Sequence, residues 1–283
     1  MSIQPSKNLN LVVSQSNAAS GVILFGFDWD GTLFDEDDIK SYVTPAHNYA
    51  IEQMREKGVE PKEGENIIRG EGESSSDYFR RLYPKNEHFE QAAEIKNKVL
   101  LENSKIYEKA YELMRQIFSK GHKAFIATNY KSPKVMKPIM EKHFINPLKE
   151  EFSDANVPLL FSAEKPKPDS LYQGAKAHGL EQTDITQQNL VYIGNSAKDV
   201  IATLLAGGKA IFINKNDGNL KAEMEGELAA AIKKGVLFTE QIPKDFIKSN
   251  IANVIQVKDM AELNNKFGSI VSQVTTKSGQ GVS

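Results

Sequence analysis

The chain has 283 residues, 40% of them apolar and 25% charged, with 35 Lys and Arg against 37 Asp and Glu. Near-neutral charge removes the electrostatic case for nucleic acid or an anionic membrane surface as a partner, and no apolar run nears the roughly 20 residues of a membrane-spanning helix. Cysteine is absent, which excludes disulfides, thiolate metal sites and thiol nucleophiles and points to a reducing, cytoplasmic setting.

Residues 1–20 are polar, with "LNLVV" as their apolar cluster. That cluster is shorter than the about 7–15 apolar residues of a signal peptide, so the stretch reads as a flexible extension. "GVILFGF" (21–27) reads as a buried strand. The next pattern predicts a helix over 44–58, with Thr44 as N-cap, Pro45 in the first turn and Gly58 just past the end. Helical patterns follow at 75–83, 88–103 and 106–120, the last stopped by Gly121. "HKAFIATN" (122–129) is a strand, and Ser132-Pro133 opens a helix. A strand at 157–162, a helix at 169–179, a strand at 190–194, a helix at 196–208 and a strand at 209–214 come next. The Lys/Glu-rich stretch 216–250 reads as a solvated helical face, 253–257 as a last strand before a last helix, and 274–283 as a flexible tail.

From Gly121 onward strand and helix alternate, which predicts an α/β fold: a parallel, Rossmann-like sheet with helices on both faces. Residues 36–115 break the alternation with helices alone. They read as an inserted helical cap domain, leaving 21–35 and 116–273 as the core.

In such a sheet, ligands bind at the carboxyl ends of the strands. "GFDWDGTLFDEDD" (26–38) puts six carboxylates into thirteen positions behind a buried strand. Removing like charges from water costs several kcal/mol per ion unless something positive compensates. On extended backbone Asp28 and Asp30 share a side and Trp29 faces the other way. With Asp199 from another strand end they would hold a hard cation, and Mg²⁺ takes oxygen ligands. An EF-hand fails on spacing, because Gly31 is fourth from Asp28 and that loop needs glycine at its sixth position. Glu36, Asp37 and Asp38 read as an acidic surface turn. The five histidines fall outside these strand ends and read as structural or exposed.

"DWDGTLFD" closely resembles the first motif of the haloacid dehalogenase-like phosphohydrolases, Asp-x-Asp-Gly-Thr-Leu-x-Asp. "AFIATN", "KPKPDSLY" and "VYIGNSAKD" are similar to the second, third and fourth motifs, in the family's order. The helical insert between the first two matches the helical-cap, phosphoglycolate phosphatase-like subgroup. The resemblance covers roughly residues 21–270. It implies a Mg²⁺-dependent phosphatase acting on a small phosphorylated metabolite. Asp28 would be the nucleophile and Asp30 the general acid and base. Thr128 would bind a phosphoryl oxygen, and Lys165 would neutralise charge and steady Asp28. The metal shell would draw on Asp28, Asp30, Asn195 and Asp199, and Asn195 departs from the commoner Asp by one negative charge. Asn129 and Arg69 are the candidate substrate contacts, Arg69 from the Gly/Ser-rich loop of the insert. A phosphomutase, or a catalytically weak binding or regulatory protein, is the alternative on the same fold.

Overall fold

The computed structural model describes residues 21–34, 36–68, 70, 75–103, 106–130 and 133–276. The expected extension at 1–20, Arg69, most of its loop and the end of the expected tail lie outside the described residues.

Six strands form one parallel sheet: β1 (Leu24–Phe27), β2 (Lys123–Ala127), β3 (Leu159–Leu160), β4 (Leu190–Gly194), β5 (Lys209–Ile213) and β6 (Ile255–Val257), in the order β3-β2-β1-β4-β5-β6. The order reverses at β1, whose neighbours are β2 and β4, and that reversal opens a crevice at the strands' carboxyl ends. β3 is shorter than the expected 157–162 because it is an edge strand with β2 as its partner.

Period-two alternation divides the sheet into two buried faces. Ile23, Phe25 and Phe27 face one side with Ile126, Val191 and Ile193. Against them pack α4 (Glu108–Ser119), α5 (Pro133–Met140), which continues through a π turn into α6 (Asn146–Glu151), and α11 (Met260–Thr276). Leu24, Phe125 and Tyr192 face the other side, under α7 (Asp169–Ala177) and α8 (Ala197–Leu205). α9 (Leu220–Lys233) and α10 (Phe246–Asn250) cover α8. The stretch 216–250 is therefore not only a solvated face: Leu220, Met224, Leu237 and Phe246 are buried against α8 and β5. Likewise α11 runs to Thr276 and buries Val274, so the tail begins later than expected.

α1 (Glu36–Glu56), α2 (Ser75–Leu82) and α3 (Asn86–Asn103) share a separate apolar cluster that includes Ala50, Met54, Tyr78, Phe79, Leu82 and Ala92. α1 starts eight residues before the expected N-cap and carries exposed Pro45 in its interior. Pro45 fixes a helix-compatible φ, so the helix passes through it without ending. The end is as expected: Gly58 adopts φ +76° and Val59 N–H returns to the Met54 carbonyl. Two connectors join this unit to the sheet. They run antiparallel, bridged at Phe34 and Ile106, with Tyr107 N–H donating to the Leu33 carbonyl at 3.3 Å. The expected boundary at 115–116 falls inside α4, whose buried Ala110, Leu113, Met114 and Ile117 face the sheet.

α7 lies so close to β2 that a β-carbon on Gly174 would sit 2.4 Å from the Phe125 ring. Alanine gains about 1 kcal/mol of helix propensity over glycine. Overpacking a tight core costs about 1–3 kcal/mol, so the clash wins. Gly174→Ala should melt a few degrees below wild type in a thermal scan, at about 2–4 °C per kcal/mol. A higher melting temperature would mean that the helix can move off the strand.

Candidate active site

β1 ends at Phe27, and Asp28 N–H still donates to the Ile193 carbonyl at 2.9 Å, so the Asp28 backbone is fixed by the sheet. The chain then turns sharply. The Trp29 carbonyl accepts from the N–H groups of Thr32, Leu33 and Phe34 at 3.0–3.3 Å, and Gly31 takes φ +72°. Trp29 is fully buried on the opposite side, stacked on Phe34 with ring centres 5.4 Å apart. On the other side Asp28 is left facing the Lys165 ammonium.

Lys165 reaches the same point from the loop after β3. Its ammonium lies 2.5 Å from Asp28 Oδ1 and 2.6 Å from Asp199 Oδ1, and it donates to the Ala127 carbonyl at 3.0 Å. All three side chains are buried: Lys165 is 5%, Asp28 8% and Asp199 2% exposed. Ser162 and Glu164 in this loop adopt φ +55° and +50°, a conformation few side chains tolerate. The Asn129 amide clamps the Lys165 backbone from both sides, accepting from its N–H at 2.9 Å and donating to its carbonyl at 3.3 Å. Thr128 is buried at the end of β2, where its Oγ1 accepts from Tyr130 N–H. A hydroxyl that accepts in this way retains its proton to donate.

Asp199 sits in the first turn of α8. Its Oδ2 accepts from the Ser196 N–H at 3.0 Å and the Ser196 hydroxyl at 2.6 Å. A β-carbon on Gly194 would lie 2.4 Å from the Asp199 Cγ, so only glycine admits the carboxylate here. Asn195 packs over the first loop, accepting from Thr32 Oγ1 at 3.4 Å with its amide against Gly31.

Asp28, Asp30 and Asp199 against Lys165 leave the centre negative when all are ionised. Burial is the largest cause that drives the Asp28 carboxyl up to about 7; the Asp199 and Asp30 charges add to it, and Lys165 opposes it. Burial works to lower Lys165, yet Asp199 and Asp28 outweigh it and hold the ammonium well above its ordinary value. Burial, and to a lesser extent the charge of Asp30, likewise raises Tyr130. The donors are hard oxygens, the chemistry Mg²⁺ takes, and Mg²⁺ keeps several waters and needs only one or two carboxylates. Among the described residues no three His, Asp or Glu side chains form a ready-made cation cage.

The family model of haloacid dehalogenase-like hydrolases matches residues 25–213, more than half of the chain. The chain belongs to this family. No curated protein matches the chain at a significant level. This haloacid dehalogenase-like fold is similar to a candidate β-phosphoglucomutase from Thermotoga maritima, with TM-score 0.56 and 17% identity over 88% of this chain and 99% of that one. It is also similar to a predicted phosphoglycolate phosphatase from Haemophilus somnus, with TM-score 0.44 and 21% identity over 69% of this chain and 87% of that one. At these identities the likeness concerns the fold alone.

Of the residues expected at the site of this haloacid dehalogenase-like chain, Asp28, Lys165 and Asp199 meet directly. Asp30 acts on Asp28 through its charge, and Asn195 touches the loop just after Asp30, at Gly31 and Thr32. Asn129 holds Lys165, and Arg69 is outside the described residues. Sequence reasoning missed Tyr192, whose hydroxyl lies 3.1 Å from the Lys165 ammonium, and Ser196. A tyrosine inside a fully buried strand was the available signal, since its hydroxyl must find a partner there.

Asp28 has a consequence for metal-free stability. A carboxyl at about 7 when folded and 3.8 when unfolded stabilises the fold at low pH. That stability is lost as pH rises from about 4 through 7. Asp28→Asn cannot ionise, so relative to wild type in EDTA it should gain ~2–4 kcal/mol between pH 4.5 and 8.5. Denaturant midpoints at the two pH values measure this. An unchanged gap would mean that Lys165 alone balances the charge.

Proposed function

We propose that the protein is a Mg²⁺-dependent phosphatase that hydrolyses a small phosphate monoester through an aspartyl-phosphate. The observation that carries this reading is the buried Asp28–Lys165–Asp199 cluster at the point where the strand order reverses. Lys165 holds Asp28 Oδ1, which leaves Oδ2 to attack phosphorus. The new bond joins Oδ2 to phosphorus as the ester oxygen departs. Asp30 protonates that oxygen, then takes a proton from the water that attacks the acyl phosphate. Inorganic phosphate leaves and Asp28 is regenerated. The Thr128 hydroxyl donates to a phosphoryl oxygen, and Lys165 offsets its charge.

Asp28, Asp30 and Asp199 would hold the metal, with Asn195 offering a neutral amide oxygen. When bound, the ion supplies the positive charge that the cluster lacks and neutralises the phosphoryl group. The helices α1–α3, with their own cluster and paired connectors, serve as a cap over residues 36–106 that recognises the leaving group. Among the described residues no helix is long and apolar enough to cross a membrane.

p-Nitrophenyl phosphate with and without Mg²⁺ tests the reaction. EDTA should abolish turnover and Mg²⁺ restore it, and Asp28→Asn should lower kcat by at least about a thousandfold with the fold intact. Retention of a tenth of the rate would rule out the aspartyl-phosphate. Release of inorganic phosphate from a sugar phosphate, with no isomeric sugar phosphate formed, separates hydrolysis from a mutase.

Asn195→Asp adds a charge beside the cation and should tighten Mg²⁺ binding, by about tenfold in a titration at pH 8. Weaker binding would show that the amide is needed as a donor to the loop at Gly31.

A further inference from the structure

An ammonium has three N–H donors, and Lys165 has four acceptors in reach. They are Asp28 Oδ1 at 2.5 Å, Asp199 Oδ1 at 2.6 Å, the Ala127 carbonyl at 3.0 Å and Tyr192 Oη at 3.1 Å. The Tyr192 hydroxyl itself donates to Ala127 at 2.7 Å, so its oxygen turns a lone pair toward the ammonium. The ring is 1% exposed, with its centroid 5.3 Å from Lys165 Nζ.

That placement makes a demand on the neighbouring strand. Gly26 of β1 pairs with Tyr192 on one side and Phe125 on the other. A β-carbon on Gly26 would lie 2.4 Å from Tyr192 Cδ2 and 2.5 Å from Phe125 Cζ. Glycine inside a strand costs about 0.5–1 kcal/mol relative to alanine, so its presence marks a close approach. Here the approach is that of the two rings, two residues before the proposed nucleophile. A buried tyrosine that needed only a partner would be satisfied by Ala127 alone.

We infer that Tyr192 is a positioning residue for Lys165, and that Gly26 makes the room in which its ring lies. The inference rests on the reading in which Asp28 attacks phosphorus and Lys165 steadies it. The two carboxylates pull the ammonium toward the crevice, and a single carbonyl would oppose them from the sheet. The tyrosine oxygen is a second anchor on the sheet side. It keeps Nζ between the acids and so fixes which Asp28 oxygen is held and which is presented. An error near 1 Å in such a group can cost about a hundredfold in rate.

Tyr192→Phe keeps the ring and removes only the oxygen. The test combines kcat and KM on p-nitrophenyl phosphate, the thermal midpoint, and the ¹⁵N–¹H resonance of the Lys165 side chain in the intact protein. The Lys165 signal should shift and exchange faster with water. kcat should fall about tenfold while KM stays within about twofold, and the midpoint should stay within about 3 °C. An unchanged Lys165 signal overturns the inference whatever the activity does. So does a shifted signal with unchanged kcat, or a midpoint lowered by more than about 10 °C, which makes the role structural. If the wild type hydrolyses no phosphate ester, the proposed reaction fails, and the Lys165 signal alone still decides whether Tyr192 places the ammonium.

Discussion

One ammonium shared between two buried carboxylates organises this molecule. Lys165, Asp28 and Asp199 come from a loop, a strand end and a helix start that lie far apart in the chain, and they meet only when the central strands are in register. Breaking such a group by removing one partner leaves a buried charge uncompensated, a cost of roughly 3–5 kcal/mol. The surroundings therefore converge on it. Gly194 makes way for Asp199, Ser196 binds its other oxygen, and Asn129 grips the Lys165 backbone. The cluster is still short of positive charge. That deficit sits where the strand order of the sheet reverses.

The parts of this plan that depend on local chemistry were legible in the sequence. Strand apolarity and Gly58, Gly121 and Gly179 at helix ends follow from backbone geometry that any reader of the chain can apply. Residues whose meaning depends on a distant neighbour were not legible. Tyr192 sits in an apolar run and looks like core until Lys165 arrives beside it. Asn129 looks like a strand-end polar residue free for substrate, yet its amide meets the backbone of Lys165, 36 residues on. The stretch 216–250 carries enough Lys and Glu to hide the spacing of Leu220 and Met224, which face α8.

The paired connectors at Phe34 and Ile106 have a further consequence. The helical unit leaves and re-enters the sheet at one place, so it is topologically a cassette. It is still not detached from the sheet: Ala46 of α1 and Leu100 of α3 are buried in the cluster that packs on β1, so any replacement must also fill their places. Phe34 stands at that junction and also stacks on Trp29, which lies between Asp28 and Asp30. A graft of a different helical unit should therefore be cut outside Phe34 and Ile106.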